Sequence, residues 1–572
     1  MGQISGQLIN PRVPWSVEGI SVNCCTDPEC EYFNIPAIAL GKDQHYIVTG
    51  IGKFSSAIRC KNCGKHVSIK SNRALIDEMQ RFRYLSVIQK IVRQDGKGCN
   101  QPACINYNQP LSKKKSYRKR GKTSKGHQRY ECLGCNKTFT TGSEKRKNHP
   151  EDKTYKNEFL FKLLVNQTAI NRAMELTSLS PNAIYKKIDM FYERSVSFLA
   201  EREERLKKLP LNKLQLSTDR QEYNVNWTRR KDKRNVVLSG VGTADKASRY
   251  VFGMNVNYDD TVDLQAVSTS PEYDIDSELK IHNRHFARIW TLRDYFDDKK
   301  SANTKDLELD EDDRFVVSKN RQLPDTGTQV RSEYTMMAHF RLLEELIGHC
   351  EDISFHLDQD AGINRACCLA FASQISEGNC HAMYVKIDKS LTVDERRNLV
   401  NETEIMIDEI IETGTVSKRN DALRVIAADG LNDSIYQDKY PYVWHPVNIH
   451  KINEANKWVS FITDTEFLDN EEKINLLLRS TLQPIDNFFQ IVRRRLSLLE
   501  RPIQSSSNAG RVWGGKQPYN PSMVNKMLQI LRVYFNFCLI GKDGKTPAQR
   551  LGLAKGPVEI RKILYPSTKA TN

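Results

Sequence analysis

The period of the apolar positions changes along this chain, and each change marks a new kind of element. From Phe159 to Phe191 the period is helical. Phe159, Phe161, Leu163 and Leu164 open an apolar stretch that Ala169, Ile170, Ala173, Met174 and Leu176 continue. After Ser178-Leu179-Ser180-Pro181, the residues Ala183, Ile184, Ile188 and Phe191 recur at three- and four-residue steps. Ser180 suits an N-cap and Pro181 a first helical turn. The spacing therefore predicts two short helices joined by a tight turn, the second running on through Glu203 and Arg205 as a charged connector. From Leu214 the pattern becomes that of strands. Leu214–Asp219 alternates and ends on an acid, and Asn235–Val241 and Arg249–Val256 follow as antiparallel neighbours. Ile353–Leu357 predicts a fourth strand ending at Asp358, Gly362–Ile375 a helix, and His381–Ile387 a fifth strand. Ser522–Leu539 reads as a closing helical segment packed as core.

The first 140 residues follow a different rule, set by cysteine. Cys25-x4-Cys30 is followed by Cys60-x2-Cys63, and Cys99-x4-Cys104 by Cys132-x2-Cys135. Pro28 and Pro102 each fall three residues after the first Cys, Asn34 and Asn108 each four after the second, and the half-sites are separated by 29 and 27 residues. Zn²⁺ takes four thiolates tetrahedrally from two close pairs, so the pattern predicts tandem Cys₄ zinc ribbons holding two structural Zn²⁺. Isolated buried cysteines would not explain a duplicated spacing. Cys24, beside Cys25, leaves one ligand assignment open.

Charge adds a partner. The net charge is +16, with 86 Lys and Arg against 70 Asp and Glu, which points to a polyanion, most economically nucleic acid, and the partner expected for the whole chain is double-stranded DNA. The excess concentrates inside the second ribbon. Lys113, Lys114, Lys115, Arg118, Lys119, Arg120, Lys122, Lys125 and Arg129 place nine positive side chains in 17 residues, read as an unpacked loop tracking phosphates. Behind such ribbons the two helices read as a helix-turn-helix. Asn182, Tyr185, Lys186 and Lys187 lie on the exposed N-terminal part of its recognition helix. No stretch is long and apolar enough for a membrane span, the N-terminus lacks a secretory layout, and the remaining cysteines suggest no disulfide framework, so a reducing cytoplasm is expected.

Three strands followed by strand–helix–strand, with acids on strands one and four, outline an RNase H-like sheet. Strands one and four are neighbours there, so Asp219 and Asp358 would face each other. Two bare carboxylates that close repel unless a cation lies between them. Mg²⁺ or Mn²⁺ suits such oxygen ligands, and two ions can serve phosphodiester cleavage. The leading third acid is Asp486, near the start of a helix that carries Arg493, Arg494 and Arg495 two turns on, guanidinium groups expected to hold DNA phosphate, with Arg501 beyond. Glu454 and Glu500 are its rivals, and Asp360 reads as a supporting or turn residue.

The order of zinc ribbon, helix-turn-helix and acid-bearing core resembles the DDE transposases of bacterial insertion sequences. Leu357-Asp358-Gln359-Asp360-Ala361-Gly362-Ile363 is similar to the family's second-acid segment, and the spacing of Asp486, Arg493, Arg495 and Arg501 to its third-acid helix. Lys545–Leu553 resembles the C-terminal tail of integrase-like enzymes. The family usually carries Glu at the third position, where this chain has Asp486. The resemblance implies a nucleoid-associated cytoplasmic enzyme, acting as a homo-oligomer, that binds element ends and joins a 3′-hydroxyl to target DNA. If the acids do not converge, the expectation becomes a DNA-binding regulator or architectural protein on an inactive core. The expected fold is multidomain α+β. A first zinc ribbon spans 1–75 and a second, with the basic loop, 90–148. The helix-turn-helix and connector span 152–210, and the RNase H-like α/β core 211–500, with inserts near 265–335 and 388–440. A helical segment and tail occupy 501–572.

Overall fold

The computed structural model describes residues 11–50, 55–95, 99, 101, 104, 106, 111, 115–124, 128–140, 154–226, 235–295, 323–437, 442–466, 468–500 and 516–565. The cysteine repeat is also a repeat in space. Tyr46–Gly50 (β1), Ser56–Cys60 (β2) and His66–Ser68 (β3) form a three-stranded antiparallel sheet, and Tyr117–Lys122 (β4), Gln128–Cys132 (β5) and Thr138–Thr140 (β6) form a second. Tyr46 pairs with Cys60 and Tyr117 with Cys132. Each tyrosine hydroxyl accepts the backbone N–H of its ribbon's first ligand, Cys25 at 2.8 Å and Cys99 at 3.1 Å.

The basic stretch departs from the loop expected of it, because Arg118, Lys119, Arg120 and Lys122 lie on β4 of a hairpin. An extended strand sends successive side chains to opposite faces, which separates like charges, and Arg120 also pairs with Glu131 at 2.8 Å.

Asn72–Asp95 (α1) leads from the first ribbon onto the rest of the chain. Its Glu78 is fully buried against Arg81 (2.6 Å), Arg288 (2.7 Å) and Thr335 (3.2 Å). The ribbon itself is docked. Lys70 pairs with Glu333 at 3.0 Å, and Arg365 donates to Val22 O and Ser68 Oγ at 3.1 Å each.

Three helices stand where two were expected: Thr154–Leu164 (α2) and Ile170–Thr177 (α3) divide the first, broken where Gln167 takes a positive φ and its N–H turns to Arg495 O, and Pro181–Glu203 (α4) is the second. Ser180 caps α4, its hydroxyl accepting Ala183 N–H at 3.3 Å, with Pro181 at the first position. The charged connector is corrected. The helix ends at Glu203, whose carboxylate is buried against Arg532 and the Tyr250 hydroxyl, because Phe198 and Leu199 carry this end of α4 into the core.

The main sheet has eight strands. Lys213–Val225 (β7), Val236–Asp245 (β8) and Val251–Val256 (β9) form an antiparallel meander, and the two-residue strands Tyr258–Asp259 (β10) and Thr328–Gln329 (β11) pair outside it. Ser332–Ile347 (α5) leads to Asp352–Leu357 (β12), and Ala361–Ala370 (α6) to Cys380–Ile387 (β13). Both strands run parallel to β7. The second insert supplies Val393–Glu412 (α7), Arg419–Asn432 (α8) and Ile435–Gln437 (β14), and Tyr442–Val447 (β15) and Lys457–Phe461 (β16) carry the sheet outward from β13. The order is β14-β15-β16-β13-β12-β7-β8-β9.

Asn470–Arg479 (α9), Gln483–Arg495 (α10) and Ser522–Val533 (α11) complete the chain's main helices. Leu214, Leu216 and Phe355 pack with α5 and α6 on one face, while Tyr223, Leu238 and Met254 pack with α10 and α11 on the other. Among the described residues no helix is long and apolar enough to cross a membrane.

Candidate active site

Sheet register brings two of the acids together. β12 pairs with β7 only as far as Leu357 opposite Thr218, so Asp358 and Asp219 follow as neighbours across one interstrand step of about 4.8 Å. Asp358 N–H donates to Thr218 O at 3.3 Å. Asp219 is not the end of its strand, as its sequence suggested. β7 continues six residues to Val225, paired only with β8 on this stretch, because the buried alternation persists through Gln221 and Tyr223. The edge of β7 beyond Asp219 therefore opens onto the crevice where β12 stops. Such crevices at carboxyl ends of parallel strands are where open α/β sheets bind ligands.

Asp486 arrives from the first turns of α10. Ile485 N–H donates to Ser217 Oγ at 3.1 Å, tying the helix to β7 two residues before Asp219. Gly242, opposite Asp219 on β8, makes that seat possible. A Cβ there would lie 2.9 Å from Ile485 Cδ1 and 3.0 Å from Met254 Sδ.

The approach to α10 is clamped as well. Lys457 Nζ donates to Ser480 O at 2.7 Å and Lys246 Nζ to Arg479 O at 2.9 Å, while Glu454 accepts from Thr481 Oγ1 at 2.5 Å and Leu482 N–H at 3.2 Å. Burial lowers both lysines to about 8. Glu454, a rival for the third place, is thus engaged in holding the segment that leads to Asp486. Glu500, the other rival, pairs with Lys516 at 2.8 Å. Asp360 caps α6 through Gly362 and Ile363 N–H and pairs with Arg220 at 2.8 Å.

The charge of Asp358 acts on both Asp219 and Asp486. Burial, then the charge of Asp358, then that of Asp486 push Asp219 up to about 8, against the opposing Arg220 N–H and Lys389. Asp486 rises to about 6, chiefly through burial, with Asp358 and Glu454 adding to it and Lys389 and Arg493 opposing. Among the described residues only the two cysteine groups bring three or more ligand atoms within 4.8 Å of one another, so the three carboxylates do not all lie that close together. An all-oxygen donor set of three half-buried carboxylates fits a hard divalent cation such as Mg²⁺ or Mn²⁺.

Lys389, whose charge acts on both Asp219 and Asp486, went unnoticed in the sequence. A signal was there, since it follows the end of β13, which runs parallel to the acid-bearing strands and opens onto the same crevice.

The other expected site residues divide. With the Gln221 amide turned so that its oxygen faces α10, Arg493 donates to it through Nε and Nη2 at 2.6 Å each, and Arg494 is exposed. Arg495 instead bonds Asn166 Oδ1 at 2.7 Å and pins α10 to the α2–α3 junction. Asn182, Tyr185 and Lys186 are exposed near the start of α4, whereas Lys187 is half-buried and bonded to Asn157. Lys115, Arg118, Lys119 and Arg120 lie on or beside β4, and Lys113 and Lys114 fall outside the described residues.

Both cysteine groups assemble as expected. Cys25–Cys63 and Cys30–Cys60 have Sγ–Sγ separations of 3.6 Å, Cys99–Cys135 of 3.5 Å and Cys104–Cys132 of 3.6 Å. A tetrahedron with Zn–S bonds of about 2.3 Å requires edges of about 3.8 Å, so four thiolates at each site fit Zn²⁺. Cys24 is not among them, because its thiol turns into the main core toward Asn34 Oδ1 at 3.8 Å. Gly64 and Asn136, each following the last ligand of its ribbon, both have positive φ, so the closing turn repeats with the metal site. In comparisons with known proteins, no family model and no curated protein matches this chain.

Proposed function

We propose that this protein is a DNA transposase of the DDE type, with Asp219, Asp358 and Asp486 as its metal-binding catalytic acids. The observation that carries the reading is the placement of these acids at one crevice by β7, β12 and α10, where burial first, and then the charges of Asp358 and Asp486, lift Asp219 to about 8. The strand order β9-β8-β7-β12-β13, with β12 and β13 parallel to β7, supports an RNase H-like core. Mg²⁺ or Mn²⁺ held there would supply Lewis acidity for in-line attack on phosphorus. The chain's own groups do the rest. Asp219 and Asp358 bind as neighbours on one sheet edge, Gly242 and the 479–482 clamp set the position of Asp486, and Arg493 offers a guanidinium for a phosphate. The exposed strand β4 and the helix-turn-helix of α3 and α4 would track phosphates and read element ends, with a second copy holding the second end.

The test is cleavage and joining of duplex DNA carrying the element's ends, in Mg²⁺ or Mn²⁺, by the full chain and by Asp486→Asn and Asp486→Glu. The expected result is loss in Asp486→Asn with DNA binding retained, and activity in Asp486→Glu, which keeps a carboxylate on the helix. DNA binding by the wild type with no cleavage in either metal would favour the regulator.

A further inference from the structure

On the face of the sheet opposite Asp486, a file of buried hydrogen bonds ends one residue from Asp219. Thr218 Oγ1 lies 2.7 Å from Thr243 Oγ1 on β8, Thr243 Oγ1 2.8 Å from His339 Nε2 on α5, and His339 Nδ1 2.7 Å from Asn255 Oδ1 on β9. Both threonines are fully buried and His339 nearly so. The file has a direction. An amide oxygen only accepts, so Nδ1 carries the imidazole proton, Nε2 accepts the Thr243 hydroxyl, and Thr243 accepts that of Thr218. Burial, with Arg532 nearby, lowers the imidazole to about 3 and keeps it in this neutral form. Gly253 admits the ring, since a Cβ there would meet His339 Cε1 at 2.6 Å.

Thr218 joins this file to both acids of the strand pair. Its carbonyl accepts the Asp358 N–H, and the next residue is Asp219. We infer that His339 is a positioning residue of the acid cluster, fixing Asp219 and Asp358 through Thr243 and Thr218. The inference rests on the proposed metal-dependent chemistry and adds to it a group on the far side of the sheet.

A surface-open cavity of about 360 Å³, lined by His339, Asn255, Gly253 and Leu343 among others, adjoins the ring and supplies the test. In the full chain, His339→Leu should slow metal-dependent cleavage and weaken Mn²⁺ binding, followed by electron paramagnetic resonance, by about tenfold, the scale for groups that orient metal ligands, with DNA affinity unchanged. His339→Gln, whose carbonyl can accept the Thr243 hydroxyl, should stay within about twofold of wild type. Thr243→Val should match His339→Leu, and the double variant should be no worse than either. Imidazole should restore His339→Ala through the cavity and leave Asp219→Asn inactive. Wild-type rates in His339→Leu, independent effects in the double variant, or failure of both imidazole and the Gln variant to restore activity would overturn the assignment. A wild type that neither binds Mn²⁺ nor cleaves would overturn the underlying reading, and this inference with it.

Discussion

Asp219→Asn is expected to abolish metal-dependent cleavage, by roughly a thousandfold or more, while making the folded chain more stable at pH 8. The two effects share one cause. Asp219 titrates near 8 when folded and near 3.8 when unfolded, so between these values the folded chain binds the extra proton. Stability then falls as pH rises, being fully present below 3.8 and lost through about 8. Asn takes up no proton, so the variant should lose this part of the pH slope and melt higher at pH 8. Mn²⁺ should stabilise the wild type at that pH by mass action and leave the variant unmoved. Thermal unfolding from pH 5 to 8, with and without Mn²⁺, reads each part. A variant with the wild-type slope would mean that Asp219 is not the strained acid.

The second large effect separates the ribbons. Cys60→Ser should release one of two zinc ions and lower the melting temperature of the whole chain, because Val22 and Cys24 of the first ribbon sit in the main core and Arg365 and Glu333 hold its edge. Structural zinc contributes on the order of 10 kcal/mol to such a fold, so little of the ribbon would survive its loss. Cys132→Ser should also release one zinc yet leave the main transition in place. Among the described residues, the second ribbon's cluster of Cys99, Tyr117 and Cys132 packs with its own Cys104, Leu111, Tyr130, Cys135 and Phe139 alone. Zinc content by mass spectrometry and calorimetry of both variants decide the matter. Two zinc ions retained in Cys60→Ser would refute the ligand set, and an unchanged main transition would refute the docking.

What the sequence made legible was local. Cysteine spacing announced both metal sites, because a tetrahedral ion leaves a short, repeated signature in the chain. Strand patterning marked β7, β12 and β13, the RNase H-like outline made β7 and β12 neighbours, and Asp219 and Asp358 stand where those strands meet the crevice. The unforeseen parts depend on distant partners. Gly242 is an ordinary strand glycine until Ile485 lies over it, and the clamp around 479–482 draws on Lys246, Glu454 and Lys457 from separate strands and turns. His339 gave no signal of its own, because its partners Thr243 and Asn255 lie on strands distant in sequence. Lys187 and Arg495 carried charges expected to face DNA, but folding turns them onto Asn157 and Asn166. The end of β7 was misplaced because Asp219-Arg220 resembles a polar stop, although Gln221, Tyr223 and Val225 keep the buried face going. Tyr46 and Tyr117 were within reach, since each opens the strand whose partner strand ends at a ligand cysteine.

The central claim is that Asp219, Asp358 and Asp486 form one cation centre, and anomalous scattering from crystals grown in Mn²⁺ at pH 8 tests it most directly. The account predicts manganese between Asp219 and Asp358, within reach of Asp486, in crystals whose two cysteine clusters show zinc as an internal control. Zinc at both ribbons with no manganese at the acids would contradict it.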